Sequence, residues 1–154
     1  MNTFNIRLAN QSDEDVENIA RFQMACAMET EKKELLGETV RKGVKHIVSK
    51  SNDYYIVAED ENEVMAGCCL LHLQFSDWNN SYYLVLESVY VEASYRGKGL
   101  LKTLLTFAED FAKEHNNISE VRSSVSNQNK TMIKAVEKLG WIATPYGIYG
   151  KKLN

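Results

Sequence analysis

Val89-Tyr90-Val91-Glu92-Ala93-Ser94-Tyr95-Arg96-Gly97-Lys98-Gly99-Leu100-Leu101-Lys102 is the stretch whose reading decides the fold. It opens as a β-rich run, crosses a short turn and enters a helix, because Leu100, Leu101, Leu104, Leu105, Ala108, Phe111 and Ala112 recur with helical period. Gly97 and Gly99 fall at the helix start, where the first backbone N–H groups lack partners and the dipole favours an anion. Arg96, Lys98 and Lys102 bring cations to the same end. A phosphate is the anion to expect there.

The chain around this turn is acidic. Its 154 residues (17.6 kDa) carry 18 Lys plus Arg against 21 Asp plus Glu, a net charge of -3. A general nucleic-acid binder needs an excess of cations and is disfavoured. Cys26, Cys68 and Cys69 cannot all pair, which suits reduced thiols and a cytoplasmic setting. No ligand spacing joins them to His46, His72 or His115, so no metal is expected. No run of about 18 apolar residues and no cationic head before an apolar stretch occurs, so neither membrane insertion nor secretion is expected.

Working outward, Tyr82 to Val91 reads as one long strand, preceded by the loop Ser76 to Ser81. Tyr54 to Glu59 and Val64 to Phe75 are β-rich, with the acidic turn Asp60 to Glu63 making a hairpin between them. Phe4, Ile6 and Leu8 alternate as a first strand. Ser12 with Asp13, Glu14 and Asp15 starts a helix through Ala27, and a second follows Gly37 with Val40, Val44, Ile47 and Val48 on one face. Downstream, Glu120 to Ser126 reads as a strand and Asn129 to Leu139 as a helix ended by Gly140. Trp141 to Leu153 reads as two short strands around Pro145 and Gly147. The order predicts a single α/β (α+β) domain over residues 1–154, with a mixed, mostly antiparallel sheet of about seven strands flanked by about four helices.

Three phosphate-binding patterns compete at the turn. A Walker loop needs G-x-x-x-x-G-K-S/T, which is absent, and a dinucleotide fingerprint needs a third glycine where Lys102 stands. What remains is R-x-x-G-x-G/A, and Arg96-Gly97-Lys98-Gly99-Leu100-Leu101 resembles this pyrophosphate loop of the GNAT superfamily of acetyl-CoA-dependent N-acetyltransferases. A bare tight turn is the plainer explanation of two glycines. The resemblance nevertheless extends over nearly the whole chain, down to Asn129 and the ending Lys138-Leu139-Gly140-Trp141. Two positions depart from the family pattern. Leu101 replaces the usual Gly or Ala, and Val136 replaces a common Tyr near the thioester sulfur. Val136 also fits the apolar stripe Met132, Ile133, Leu139.

The resemblance implies direct attack of an amine on acetyl-CoA in a ternary complex, without an acyl-enzyme. It places the backbone N–H of Val89 near the acetyl carbonyl and that of Val91 along the pantetheine. The cofactor-binding set it implies is Val89, Tyr90, Val91, Arg96, Gly97, Lys98, Gly99, Leu100, Leu101 and Lys102, with Asn129 beside the CoA arm. Asn129 is also a good helix cap. By strict alternation Glu87 shares an otherwise apolar face with Val85, Val89 and Val91, where desolvation would raise its pKa, and it is the expected base, acting through water. Pairing with a cation, or a solvated sheet gap, would account for it equally. Tyr146 and Tyr149 are the hydroxyls available to protonate the thiolate; each also reads as an ordinary amphipathic strand residue, and solvent can do the same work.

For the acceptor, Met28 and Glu29 near the first helix end, and Asp77 with Trp78 in the loop before the long strand, lie on segments that commonly line the cleft in that family. Carboxylates beside an indole suit a cationic amine. A solvated helix end and a core-filling Trp78 are the bland alternatives. Three functions stay open: an N-acetyltransferase acting on a primary amine of a small molecule or peptide, a non-catalytic acyl-CoA-binding or regulatory module, and an interaction domain that binds no CoA. Homodimers are frequent in that fold, so a homodimer is one expectation.

Overall fold

In the computed structural model, which describes residues 3–115 and 117–154, the chain forms two compact units, Met1–Ser124 and Val125–Asn154. The first contains β1 (Asn5–Leu8), α1 (Asp13–Glu31), α2 (Gly37–Lys50), β2 (Tyr54–Glu59), β3 (Met65–Ser76), β4 (Ser81–Val91), a 3-10 turn (Ala93–Tyr95), α3 (Leu100–Glu114) and β5 (Ile118–Ser123). The second contains α4 (Lys130–Lys138). The sheet has the order β1-β2-β3-β4-β5, antiparallel except for the parallel β4–β5 pair. Among the described residues the α+β class and the four helices match expectation, and the sheet has five strands and not about seven.

The two missing strands were expected between Trp141 and Leu153. Alternating apolar residues suit a strand, but a strand exists only as part of a hydrogen-bonded ladder. That segment joins no ladder among the described residues, and Pro145 has no N–H to offer one.

Apolar side chains cover both sheet faces. On one, Val16, Ile19, Ala20 and Phe22 of α1 and Val44 of α2 pack with Tyr55, Val57, Met65, Cys68 and Tyr90. On the other lie Ile56, Cys69, Leu71, Leu84 and Leu86, with the buried stripe Leu100, Leu104, Leu105, Ala108 and Ala112 of α3. Each fully buried leucine contributes about 1.5–3 kcal/mol. Gly67 belongs to this second face because a Cβ there would lie 2.7 Å from the Tyr90 carbonyl oxygen and 3.4 Å from Leu100 Cδ2.

Polar pairing fixes the entry to α1. Ser12 Oγ accepts from the Asp15 N–H at 3.2 Å, and Asp13, Glu14 and Asp15 occupy the positive end of the helix. Arg7 of β1 donates bidentately to Asp15 at 2.7 and 2.9 Å, and through Nε to Glu59 of β2 at 2.9 Å. Burial acts to raise the Asp15 carboxyl, but bonds from Arg7 and the Asn10 N–H outweigh it and hold the group below the usual carboxylate range. Arg7 itself is raised by those two acids.

Candidate functional site

The first half of β4 is paired on both edges and the second half on one. Pairing with β5 runs from Tyr82↔Ile118 to Leu86↔Ser123 and ends there, whereas β3 continues alongside through Cys68↔Tyr90 and Gly67↔Val91. The Glu92 N–H donates to the Ala66 carbonyl at 2.9 Å. Antiparallel pairing alternates bonded and outward-facing residues, so the N–H and C=O of Val91 face the edge that β5 has left. Among the described residues no strand pairs with that edge of β4 from Glu87 onward.

A β-bulge sits at the start of this opening. Three residues of β4, from Glu87 to Tyr90, span what β3 covers in two, from Leu70 to Cys68, and Ser88 takes a left-handed backbone at φ 52°. The Ser88 carbonyl accepts from Gln23 Nε2 of α1 at 3.2 Å, which ties the bulge to that helix. The extra residue reverses the alternation. Glu87, opposite Leu70, lies on the α1 face with Tyr90, while Val91, opposite Gly67, lies on the α3 face. The expectation that Glu87 shares a face with Val89 and Val91 is thereby corrected. Glu87 is half-buried, and its charge helps raise the Tyr55 phenol and the Cys69 thiol, each of which is raised mainly by burial.

Beyond Val91 the 3-10 turn leads into the glycines. Gly97 and Gly99 have φ of 75° and 82°, a region that strains any other residue. Nothing lies within 4 Å of where a Cβ would be at either, so backbone conformation and not crowding demands glycine. Gly99 caps α3 without a side-chain bond, and the N–H groups of the first turn lead from it. Leu100 is buried and Leu101 half-buried, so the replacement at 101 turns at least partly into the protein. Lys98 and Lys102 flank the turn; Lys98 Nζ stands 5.4 Å from the Tyr95 ring centre, and Lys102 borders a shallow depression with Ile6, Thr103, Thr106, Phe107 and Asp110. Tyr95 in turn donates to Asp60 at 2.8 Å, anchoring the loop to the β2–β3 hairpin and raising the phenol. Asp60 also accepts from the Val64 and Asn62 N–H groups, and these contacts hold it below the usual carboxylate range.

Arg96 is already engaged. It donates through Nε to the Val91 carbonyl at 2.9 Å and through Nη2 to Glu29 at 2.7 Å, and its guanidinium lies 5.5 Å from the Tyr90 ring centre. The other Glu29 oxygen accepts from the Tyr90 hydroxyl at 3.0 Å. Burial first, then this bond, raises the Tyr90 phenol. Sequence separation of 67 residues hides the Arg96–Glu29 pair from any local pattern. The same is true of Gln23, and nothing in β4 announces the bulge, since Ser88 is an ordinary strand residue.

The acceptor candidates separate. Met28 and Glu29 are exposed on the last turns of α1, with Glu29 bound to Tyr90 and Arg96. Asp77 and Trp78 lie at the far tip of the β3–β4 hairpin, where Trp78 is 87% exposed and fills no core. From Ser81 to Val89 the strand runs roughly 26 Å at about 3.3 Å per residue, so the tip is remote from the opening. In the second unit, Asn129 caps α4 by accepting from the Met132 N–H at 3.1 Å, and Val136 is buried. Tyr146 and Tyr149 lie on the strandless segment of that unit, Tyr149 being 98% exposed. Among the described residues no group of three or more His, Cys, Asp or Glu could hold a metal ion, and no helix is long and apolar enough to cross a membrane.

The family model of the acetyltransferase (GNAT) family matches residues 16–141. No curated protein matches the chain. Among solved structures, a possible acetyltransferase from Clostridium difficile 630 is 28% identical, with a TM-score of 0.88 and 98% of each chain covered. A transcriptional regulator from Bacillus halodurans C-125 is 22% identical at a TM-score of 0.82, covering 97% of this chain and 100% of its own. An aminoglycoside N-acetyltransferase in complex with CoA shares the fold at 16% identity and a TM-score of 0.75, covering 100% of this chain and 97% of its own.

Proposed function

The chain belongs to the GNAT family of acetyltransferases, and from that premise we propose that it is an acetyl-CoA-dependent N-acetyltransferase that acylates a primary amine of a small molecule or peptide directly, in a ternary complex. Residues 1–154 act in this reading as one N-acetyltransferase domain, since the family match runs through both units. The observation that carries the reading is the open edge of β4 from Glu87 to Val91, leading straight to a glycine turn at the head of α3. Backbone donors and acceptors on such an edge suit an amide-bearing arm, and the helix start suits a pyrophosphate.

Bound acetyl-CoA would supply an activated thioester. In our reading the Val91 N–H and C=O align the pantetheine arm and the Val89 N–H donates to the acetyl oxygen as negative charge develops. The N–H groups from Gly97 to Lys102, with Lys98 and Lys102, receive the pyrophosphate. Arg96 joins them by exchanging Val91 and Glu29 for phosphate oxygens. Glu87 takes the amine proton through water as the C–N bond forms and the C–S bond breaks. The leaving thiolate, with an ordinary pKa of about 8.5, can take its proton from solvent, so neither Tyr146 nor Tyr149 is required for turnover. Met28 and Glu29 offer an acidic, partly apolar rim for a cationic acceptor; Asp77 and Trp78 are too remote to share it. The CoA complex of the structurally similar aminoglycoside enzyme supports the choice of donor.

Thermal melting with acetyl-CoA, followed by thiol release against a panel of amines, tests the reading. Stabilisation and amine-dependent release are expected. No stabilisation would overturn CoA binding, and stabilisation without release from any amine would make the protein a non-catalytic acyl-CoA-binding module. Glu87→Gln should lose most turnover and the acid limb of the pH–rate profile; full activity with an unchanged profile would remove Glu87 as the base.

A further inference from the structure

Gln23 reaches from α1 to the sheet with its amide nitrogen committed twice: Nε2 donates to the Ser88 carbonyl at 3.2 Å and to Cys68 Sγ at 3.3 Å. The Cys68 thiol faces the same carbonyl oxygen at 4.0 Å. Packing alone asks for an apolar side chain at position 23, because α1 meets this face of the sheet through Val16, Ile19, Ala20 and Phe22. What an apolar side chain could not supply is a donor to the bulge. Ser88 is held there at φ 52°, a backbone region that costs an L-residue energy, so the strand left to itself favours a negative φ and a differently turned Ser88–Val89 peptide. In a trans peptide the C=O and the N–H point in opposite directions. Fixing the Ser88 carbonyl on α1 therefore aims the Val89 N–H away from α1. Alternation along β4 agrees: Glu92 bonds to β3, so Tyr90 also faces β3, and Val89 and Val91 face the edge along which no strand pairs among the described residues.

We propose that Gln23 is a positioning residue for acetyl transfer: its bond to the Ser88 carbonyl holds the peptide that carries the Val89 N–H, and so sets the direction of the donor that meets the acetyl oxygen. This role rests on the reading in which the Val89 N–H is that donor, and it requires no contact between Gln23 and either substrate. A donor to a developing oxyanion works by standing in place before the charge appears, and removal of one such donor costs about 100–1,000-fold in kcat. Losing the anchor leaves the donor present but frees its direction, which sets the expected loss lower, at about 10–100-fold. The ground-state thioester carries little charge on its oxygen and draws weakly on the same N–H, so affinity for acetyl-CoA should change little.

Gln23→Met keeps a side chain of similar length and removes the donor. By thiol release its kcat should fall about 10–100-fold while KM for acetyl-CoA stays within about threefold of wild type. A lowered melting temperature with kcat unchanged would make Gln23 a stabilising contact only and overturns the proposal. The second readout is the Val89 amide proton by NMR, with the ketone analogue of acetyl-CoA that carries CH2 in place of the sulfur and cannot transfer its acetyl group. In the wild type this proton should move downfield on binding, and in Gln23→Met it should move much less. Equal shifts in the two proteins overturn the positioning role and leave the Val89 donor standing, whereas a wild type that the analogue stabilises against melting without shifting Val89 overturns the donor and the anchor together. Should Gln23→Met not fold, the wild type decides alone: the Gln23 side-chain amide protons should stay protected from exchange when the analogue shifts Val89. Loss of that protection on binding would mean that the bond is broken in the working complex, and overturns the proposal.

Discussion

Gly67→Ala and Gly43→Ala make the same chemical change with opposite expected outcomes. At Gly67 the new Cβ would sit 2.7 Å from the Tyr90 carbonyl oxygen, 0.7 Å short of an ordinary 3.4 Å contact. The obstructing atom is β4 backbone, which cannot swing aside as a side chain can, and Leu100 Cδ2 at 3.4 Å closes off the helix side. Overpacking costs about 1–3 kcal/mol, and a backbone obstacle places this case near about 2–3 kcal/mol. For a chain of this length that lowers the melting temperature by about 4–12 °C. At Gly43, exposed inside α2 with nothing within 4 Å, alanine should stabilise by about 0.5–1 kcal/mol through helix propensity. Urea unfolding of both variants beside the wild type measures the two signs. Because Val91 lies opposite Gly67, the first variant should also lose most of its stabilisation by acetyl-CoA. Unchanged stability of Gly67→Ala would refute the argument, since it would mean that β3 and β4 separate at no cost beside the open edge.

The Arg7–Asp15–Glu59 cluster predicts an acid limb. Asp15 is held below its unfolded value of about 3.9, so its contribution is fully present above that pH and is lost as pH falls through the lower, folded value. Asp15→Asn should flatten stability against pH in that window, and Arg7→Leu, which strands a buried carboxylate, should cost about 3 kcal/mol by urea unfolding at neutral pH. Glu29→Gln should release Arg96 and remove a negative charge near the phosphate-binding turn, tightening acetyl-CoA binding several-fold by calorimetry at low salt; weaker binding would show that the ion pair preorganises Arg96 instead of restraining it.

The features legible in sequence were the local ones. The glycine turn could be read because a left-handed backbone needs glycine, and the helices because apolar spacing and caps such as Ser12 and Asn129 act within a few residues. The five-strand count was not legible, because residues 141–153 carry strand composition and only a partner turns composition into a strand. Ser88 is hidden for the opposite reason: one extra residue inverts a period-two pattern without altering its letters, and so puts Val91 on the α3 face while Glu87 stays on the α1 face. The engagement of Arg96 by Glu29 depends on α1 ending beside β4, a fact of packing that no motif encodes.

The cysteines bear on how such experiments can be read. Cys68 and Cys69 are fully buried and Cys26 half-buried, and burial is the main cause raising each thiol above its ordinary range. Cys68 and Cys69 should therefore contribute almost no background to a thiol-detecting reagent, so colour beyond the one equivalent open to Cys26 reports released CoA. Once acceptor is omitted, the same reagent becomes a clock for global opening: the two equivalents of Cys68 and Cys69 should appear together, at the rate at which the sheet comes apart.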